Sequence, residues 1–194
     1  MALPLRRGFR RSGASLSLRL DAQERAVLTE VLGQLATLLE ADEADGPPED
    51  TGGGAAPEED PWEALVGIAP TASRPADPAL ARLLPDGYDD DDEAAADFRR
   101  YTENDLRQEK TTAVAVALDT LALDSDRIGL DAQQADAWVR VLNDLRLVVG
   151  TRIGVDADYA ETRLDDDDPR AASMALYDWL TWLQSTLVSA LMRR

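Results

Sequence analysis

The chain has 194 residues, with 38 acidic side chains against 20 basic ones, a formal net charge of −18, and neither histidine nor cysteine. Without histidine there is no imidazole acid/base group and no Ser-His-Asp triad; without cysteine there is no disulfide, thiolate nucleophile, zinc finger or thiol redox switch. What remains is binding, or chemistry built from carboxylates, hydroxyls, arginines and the single lysine, Lys110.

The charge is unevenly placed. Residues 1–20 hold Arg6, Arg7, Arg10, Arg11 and Arg19 and no acid, a charge of +5, which leaves −23 on the rest of the chain. Tight binding to duplex DNA needs many neutralised phosphates, so a body of this charge argues against direct DNA binding. The short basic arm either touches a phosphate or docks on the protein's own acidic body. Apolar residues make up 44 % and aromatics 5 %, so Leu, Val and Ala must fill a thin core. Arginine outnumbers lysine 19 to 1, which with abundant Ala, Asp and Gly suggests a GC-rich genome. No apolar run has the length of a signal-peptide core or a membrane span, so a cytoplasmic location and no membrane contact are expected.

In chain order, the leucines Leu16, Leu18 and Leu20 alternate with Ser15, Ser17 and Arg19, and with a turn at Ser12-Gly13 they predict a small basic β-hairpin within residues 1–20. Asp21 and Glu24 have capping-box spacing and open a helix to about Glu40, with Val27, Leu28, Val31, Leu32, Leu35, Leu38 and Leu39 on its apolar stripe. Residues 40–61 hold nine acids, no base, a triple glycine and four prolines, a composition expected to stay disordered. Trp62 then either docks a short helix on the body or anchors a partner. Asp77-Pro78 starts a short helix that Pro85 ends. A long helix is predicted over roughly 91–123, charged in its first half and apolar in its second. Asp131 and Gln134 form a second capping box ahead of a helix over about 132–154, whose stripe is Trp138, Val141, Leu142, Leu145, Val148, Val149 and Ile153 and whose stop is Gly154. The last helix runs from Pro169 to about residue 192, with Leu176, Leu180, Leu183, Leu187 and Leu191 as a bundle-packing seam. These elements make one mainly α domain over 1–194, a bundle of about four main helices with a short N-terminal β-hairpin and a disordered acidic loop.

Candidates for chemistry are few. The Asp runs 89–92 and 165–168 lack the glycine and glutamate of an EF-hand loop and stand just before helices, where they cap and complement the positive helix start. The stretch Arg99, Arg100, Glu103, Asp105, Arg107, Glu109 and Lys110 is either a solvated face with pairs such as Glu103–Arg107, or a partly buried network against Asn143, Asp144, Arg146 and Arg152. Arg146 and Arg152 interrupt an apolar stretch, so at least one is expected to be paired. Lys110 as a catalytic lysine is the lesser reading beside an ordinary ion pair. Trp179 and Trp182, three residues apart, are either core or a partner-binding patch. Phosphate-loop, Rossmann and nucleophile-elbow patterns are absent. No catalytic residue, metal site or cofactor is expected; the partner-contact candidates are Arg6, Arg7, Arg10, Arg11, Trp179 and Trp182.

Three long stretches carry a resemblance: PADPALARLLPDGYDDDDEAAADFRRYTENDLRQEK at 75–110, WVRVLNDLRLVVGTRIGV at 138–155 and YDWLTWLQSTLVSAL at 177–191. With the N-terminal FRR and the DAQERAVLTEVLGQL helix, they resemble an actinobacterial helical family known as a domain of unknown function, whose characterised branch is the AosR-like oxidative-stress transcription regulators. The resemblance implies a non-enzymatic regulator that meets the transcription machinery, such as a sigma factor or an RNA polymerase component. That branch is described as sensing oxidation through a cysteine pair, which this chain lacks, so only the binding role transfers. The alternative is a helical adaptor or structural module of another pathway, such as Clp-type proteolysis. The leucine seam of the last helix fits a homodimer interface as well as an intrachain one.

Overall fold

The computed structural model describes residues 7–40, 74–88, 91–123, 125–155 and 168–193. Two strands open the chain, β1 (Gly8–Ser12) and β2 (Ser15–Arg19), followed by helix α1 (Ala22–Glu40), the short α2 (Pro78–Leu83), the long α3 (Asp92–Leu121), a third strand β3 (Arg127–Leu130), α4 (Ala132–Ile153) and α5 (Ala171–Met192). The mainly α class, the four long helices and the N-terminal hairpin match the sequence pattern. Arg6, residues 41–61 of the acidic stretch, Trp62, and the acids at 89–90 and 165–167 lie outside the described residues.

The hairpin differs in two ways from its expected form. Its pairing runs from Gly8↔Arg19 to Ser12↔Ser15, so the loop is Gly13-Ala14 rather than Ser12-Gly13. Gly13 takes φ +60° there, the left-handed value that the first position of a two-residue hairpin loop requires. The hairpin is also part of a three-stranded antiparallel sheet in the order β1-β2-β3. Strand β3 has four residues, too few for alternation to show in the sequence, and it places Leu130 opposite Leu16 and Ile128 opposite Leu18. Its pairing also covers Ser17, which alternation places on the face opposite the leucines. Ser17 is buried because Arg127 of β3 reaches over it and donates from Nε to its hydroxyl at 3.1 Å.

Phe9, Leu18 and Ile128 stand in one row across the sheet and are all buried. The Phe9 ring meets the Trp138 indole edge-on, with centroids 5.7 Å apart, and the indole N–H donates to Thr120 Oγ1 at 3.0 Å. Trp138 therefore ties the sheet, α3 and α4 into one core. Around it pack Leu28, Leu32, Leu35 and Leu39 of α1, Val114, Ala117 and Leu121 of α3, Val141, Leu142 and Leu145 of α4, and Leu180, Leu183 and Leu187 of α5. Val27 and Leu191, expected on apolar stripes, sit at the stripe margins and are 37 % and 40 % exposed.

The helix starts follow the capping chemistry of the sequence. In α1 the Asp21 N–H donates to Glu24 Oε2 at 2.8 Å and the Glu24 N–H to Asp21 Oδ1 at 2.7 Å. Asp131 and Gln134 make the same reciprocal pair ahead of α4, which ends at Gly154 with φ +71°. Asp91 caps α3 by accepting from the Ala94 N–H at 3.0 Å. Helix α5 differs from expectation: its N-cap is Arg170, with no side-chain cap bond, and Asp168 instead accepts from the Arg170 N–H at 2.8 Å in the turn before it. The ends of α1 and α3 are settled between helices instead. Neither α1 nor α3 has a basic residue in its last turn, where a cation complements the partial negative charge. The Arg25 guanidinium of α1 serves the end of α3, donating to the Leu121 carbonyl, to Leu123 O at 2.8 Å and to Ser125 O at 2.5 Å. Arg107 of α3 in turn donates to the Leu39 carbonyl near the end of α1. The two helices run antiparallel, and each supplies the cation the other lacks.

Candidate functional site

Most of the charged side chains singled out in the sequence are engaged by their neighbours. Glu103 and Arg107 pair at 2.7 Å across one turn of α3. Lys110 reaches from α3 to Asp144 of α4, Nζ to Oδ1 at 2.8 Å, and Arg140 pairs with Glu109 at 3.0 Å. These are the cross-helix contacts of a network that fixes the register of α3 on α4. Burial pushes the Asp144 carboxyl above its ordinary value, against the opposing pull of the Lys110 ammonium, Asn143 and Arg140. Lys110 thus has the ion-pair role.

Of the two arginines in the apolar stretch of α4, Arg152 pairs with Asp77 at 2.5 Å. Burial alone would raise the Asp77 carboxyl, but Arg152 and the Ala79 and Leu80 N–H groups outweigh it and hold it below the usual carboxylate value. Arg146 turns to α5, donating to Thr181 Oγ1 at 2.9 Å and Gln184 Oε1 at 2.5 Å, with its guanidinium over the Tyr177 ring at 5.4 Å. These arginines align helices.

A different arrangement stands where β1 runs beside the last turns of α5. The two elements enclose a groove of about 550 Å³ lined by Arg7, Phe9, Arg10 and Arg11 on the strand side and by Trp182, Ser185, Thr186, Ser189, Ala190 and Arg193 on the helix side. Its floor depends on Gly8. A Cβ at that position would lie 2.9 Å from Thr186 Oγ1 and 3.0 Å from the Trp182 ring, and the backbone there has φ +84°. With no side chain in the way, the Phe9 N–H donates to Thr186 Oγ1 at 3.1 Å and pins the outer edge of β1 to α5.

The partner-contact candidates divide here. Arg7 pairs with Asp21 at 2.6 Å and Glu24 at 3.4 Å, so at this residue the arm docks on the protein's own acidic body. Arg10 and Arg11 are exposed along the groove, and Arg11 Nε also donates to the Gly13 carbonyl at 3.1 Å. Trp182 lines the groove and is 36 % exposed. Trp179, one turn earlier, packs half-buried on the core. The tryptophan pair is thus one half-buried residue at the core margin and one exposed residue. Sequence reasoning missed Arg193. Its signal is the 4-3-4 spacing of Trp182, Thr186, Ser189 and Arg193, a second helical stripe beside the leucine seam.

Among the described residues no three His, Cys, Asp or Glu side chains gather as a metal site would need, and no helix is long and apolar enough to cross a membrane. Fold and groove together define a mainly helical protein with a small three-stranded sheet and a basic, tryptophan-bearing surface groove. The chain belongs to the DUF2017 family, a domain of unknown function, whose model matches residues 6–191. It is 34 % identical over 196 residues, 94 % of this chain and 84 % of the relative, to a protein of Mycobacterium tuberculosis (strain ATCC 25618 / H37Rv) named "Oxidative stress regulator AosR", and equally to the protein of that name in Mycobacterium bovis. A Mycobacterium leprae protein named "Putative oxidative stress regulator AosR" is 36 % identical over 183 residues, 87 % of this chain and 79 % of the relative. No solved structure gives a significant match.

Proposed function

We propose that this chain is a non-enzymatic, cytoplasmic regulator in the oxidative-stress response, and that it acts by contact with a protein of the transcription machinery, a sigma factor or an RNA polymerase component. The observation that carries the reading is its identity of 34 % along 94 % of its length with proteins named oxidative stress regulators. Two features of the chain shape it. The absence of cysteine removes a thiol switch from this polypeptide, so its regulatory effect comes from binding. The groove between β1 and α5 supplies a surface suited to binding, since exposed Arg and Trp side chains dominate protein contact energies.

The test is co-purification of the tagged chain from the source cells at low salt, with the bound proteins identified by mass spectrometry. A sigma factor or polymerase subunit is the expected catch. Clp protease components in its place would move the chain to the adaptor reading, and recovery of neither would overturn the transcriptional one.

A further inference from the structure

The leucine seam of α5 reads in sequence as a surface for pairing two copies, but Leu180, Leu183 and Leu187 are buried in the chain's own core. The opposite face of the helix is left open. We infer that two copies of this chain pair through that face, with Trp182, Ser185, Val188, Ser189 and Met192 of one α5 lying antiparallel against the same residues of the other. The inference is independent of the regulatory reading. The face borders the β1–α5 groove and shares Trp182, Ser185 and Ser189 with it, so pairing of two copies and docking of another protein in the groove exclude one another.

Three observations carry it. First, the face lacks charge where charge is the rule. The outward side of a helix packed on a core ordinarily bears charged and polar residues, and 30 % of the chain is charged. Helix α5 has one charged residue, Asp178, among the 22 from Ala171 to Met192. Trp182, Val188 and Met192 are instead 36, 41 and 78 % exposed, and Ser185 and Ser189 stand exposed between them. The Ser185 hydroxyl donates to the Thr181 carbonyl at 2.9 Å, so an apolar neighbour can cover it without stranding a donor. Second, charge selects a second copy as the occupant. Two chains of −18 repel over most of their surfaces, and they approach at least cost where neither bears charge. A partner recognised by charge gains nothing on this face, whereas a second copy presents a matching uncharged face by construction. Third, the face is self-complementary, as a two-fold contact requires. Ser185 and Thr186 lie midway between Trp182 and Ser189. A two-fold axis at that midpoint sets Trp182 of each copy over Ser189 of the other, a large side chain on a small one at both ends of the contact. Small residues at the crossing let the helix axes approach to about 8 Å.

The test uses the full chain. Light scattering and sedimentation velocity are expected to give twice the chain mass of 21.1 kDa at micromolar concentration, falling to the single mass on dilution. Association should strengthen as salt rises, because salt screens the repulsion between the two copies. A complex held by charge would do the reverse. Ser185→Glu brings two carboxylates together near the axis and is expected to weaken pairing about tenfold or more. Ser185 is exposed, so an unchanged thermal melt and circular dichroism spectrum show that this variant remains folded. The chain has no cysteine, so Ser185→Cys can form a disulfide only between two copies. Mild oxidation is expected to give a covalent dimer on a non-reducing gel, while Thr29→Cys, also exposed but on α1, stays single. A single chain mass at every concentration and salt, pairing unchanged by Ser185→Glu, pairing that weakens as salt rises, or cross-linking of Thr29→Cys as readily as Ser185→Cys would each overturn the inference.

Discussion

The arginines of the helical body and those of the β1–α5 groove share one side chain and do different work. Arg25 and Arg107 close the ends of a neighbouring helix, Arg146 aligns α4 with α5, and Arg152 meets the cap of α2. Each has its donors committed to groups of the fold, so its substitution disturbs the architecture. Arg10 and Arg11 stand exposed beside a groove that already holds Trp182. The difference teaches that a count of cations says little about what each one does; what matters is where the tertiary structure places it.

The sharpest break of this contrast lies in the body, at the residue that joins its parts. Trp138→Ala removes a fully buried indole together with its bond to Thr120 and its edge contact with Phe9. A loss of about 4 kcal/mol is expected, read from urea denaturation followed by circular dichroism.

The Lys110–Asp144 pair comes next. Asp144 is the more deeply buried partner, with 5 % of its side chain exposed against 17 % for Lys110. Lys110→Met strands the carboxylate and is expected to cost about 3 kcal/mol near neutral pH, more than Asp144→Ala, which leaves an ammonium able to reach water. The pH dependence has a definite sign. Asp144 in the folded chain titrates above its ordinary value, so the native state holds the extra proton between the two values and this group's contribution to stability falls as pH rises through that window. Removing Lys110 takes away a contribution that lowers it, so the deficit of the variant should shrink on acidification. A deficit that stays constant or grows toward acid pH would contradict the stranded-carboxylate account.

Asp77→Ala removes the cap of a six-residue helix and the partner of Arg152 together. About 1–2 kcal/mol is expected, measured by thermal melting. Here the sign is opposite. The folded carboxyl titrates below its ordinary value, so its stabilisation is present above the unfolded value and is lost as pH falls through the folded one. The difference between Asp77→Ala and the natural chain should therefore close at strongly acid pH.

The smallest expected effect completes the comparison. R10E/R11E should shift stability by no more than about 0.5 kcal/mol, since neither side chain is buried. A large loss of stability would place these arginines with those of the body.

How much of this was legible beforehand follows from the range of each force. The capping pairs Asp21/Glu24 and Asp131/Gln134 act over three residues, and the stop at Gly154 needs one backbone conformation, so both stood in the sequence. The apolar stripes of α1, α4 and α5 were equally plain, because burial repeats with the helical period. The cysteine count separates this chain from a thiol-based switch with no structure at all. Long-range pairing was not legible. Strand β3 is a strand because β2 is there to pair with it, and Ser17 is buried because Arg127 crosses it. The reciprocal capping by Arg25 and Arg107 joins residues far apart in the chain, which no local spacing records. The two tryptophans of α5 read alike in sequence, yet Trp179 packs against the core while Trp182 lines the groove, which the neighbouring elements decide. The groove is the plainest case. Its arginines come from the first strand and its tryptophan and Arg193 from the last helix, and only packing around Gly8 brings the two ends of the chain together.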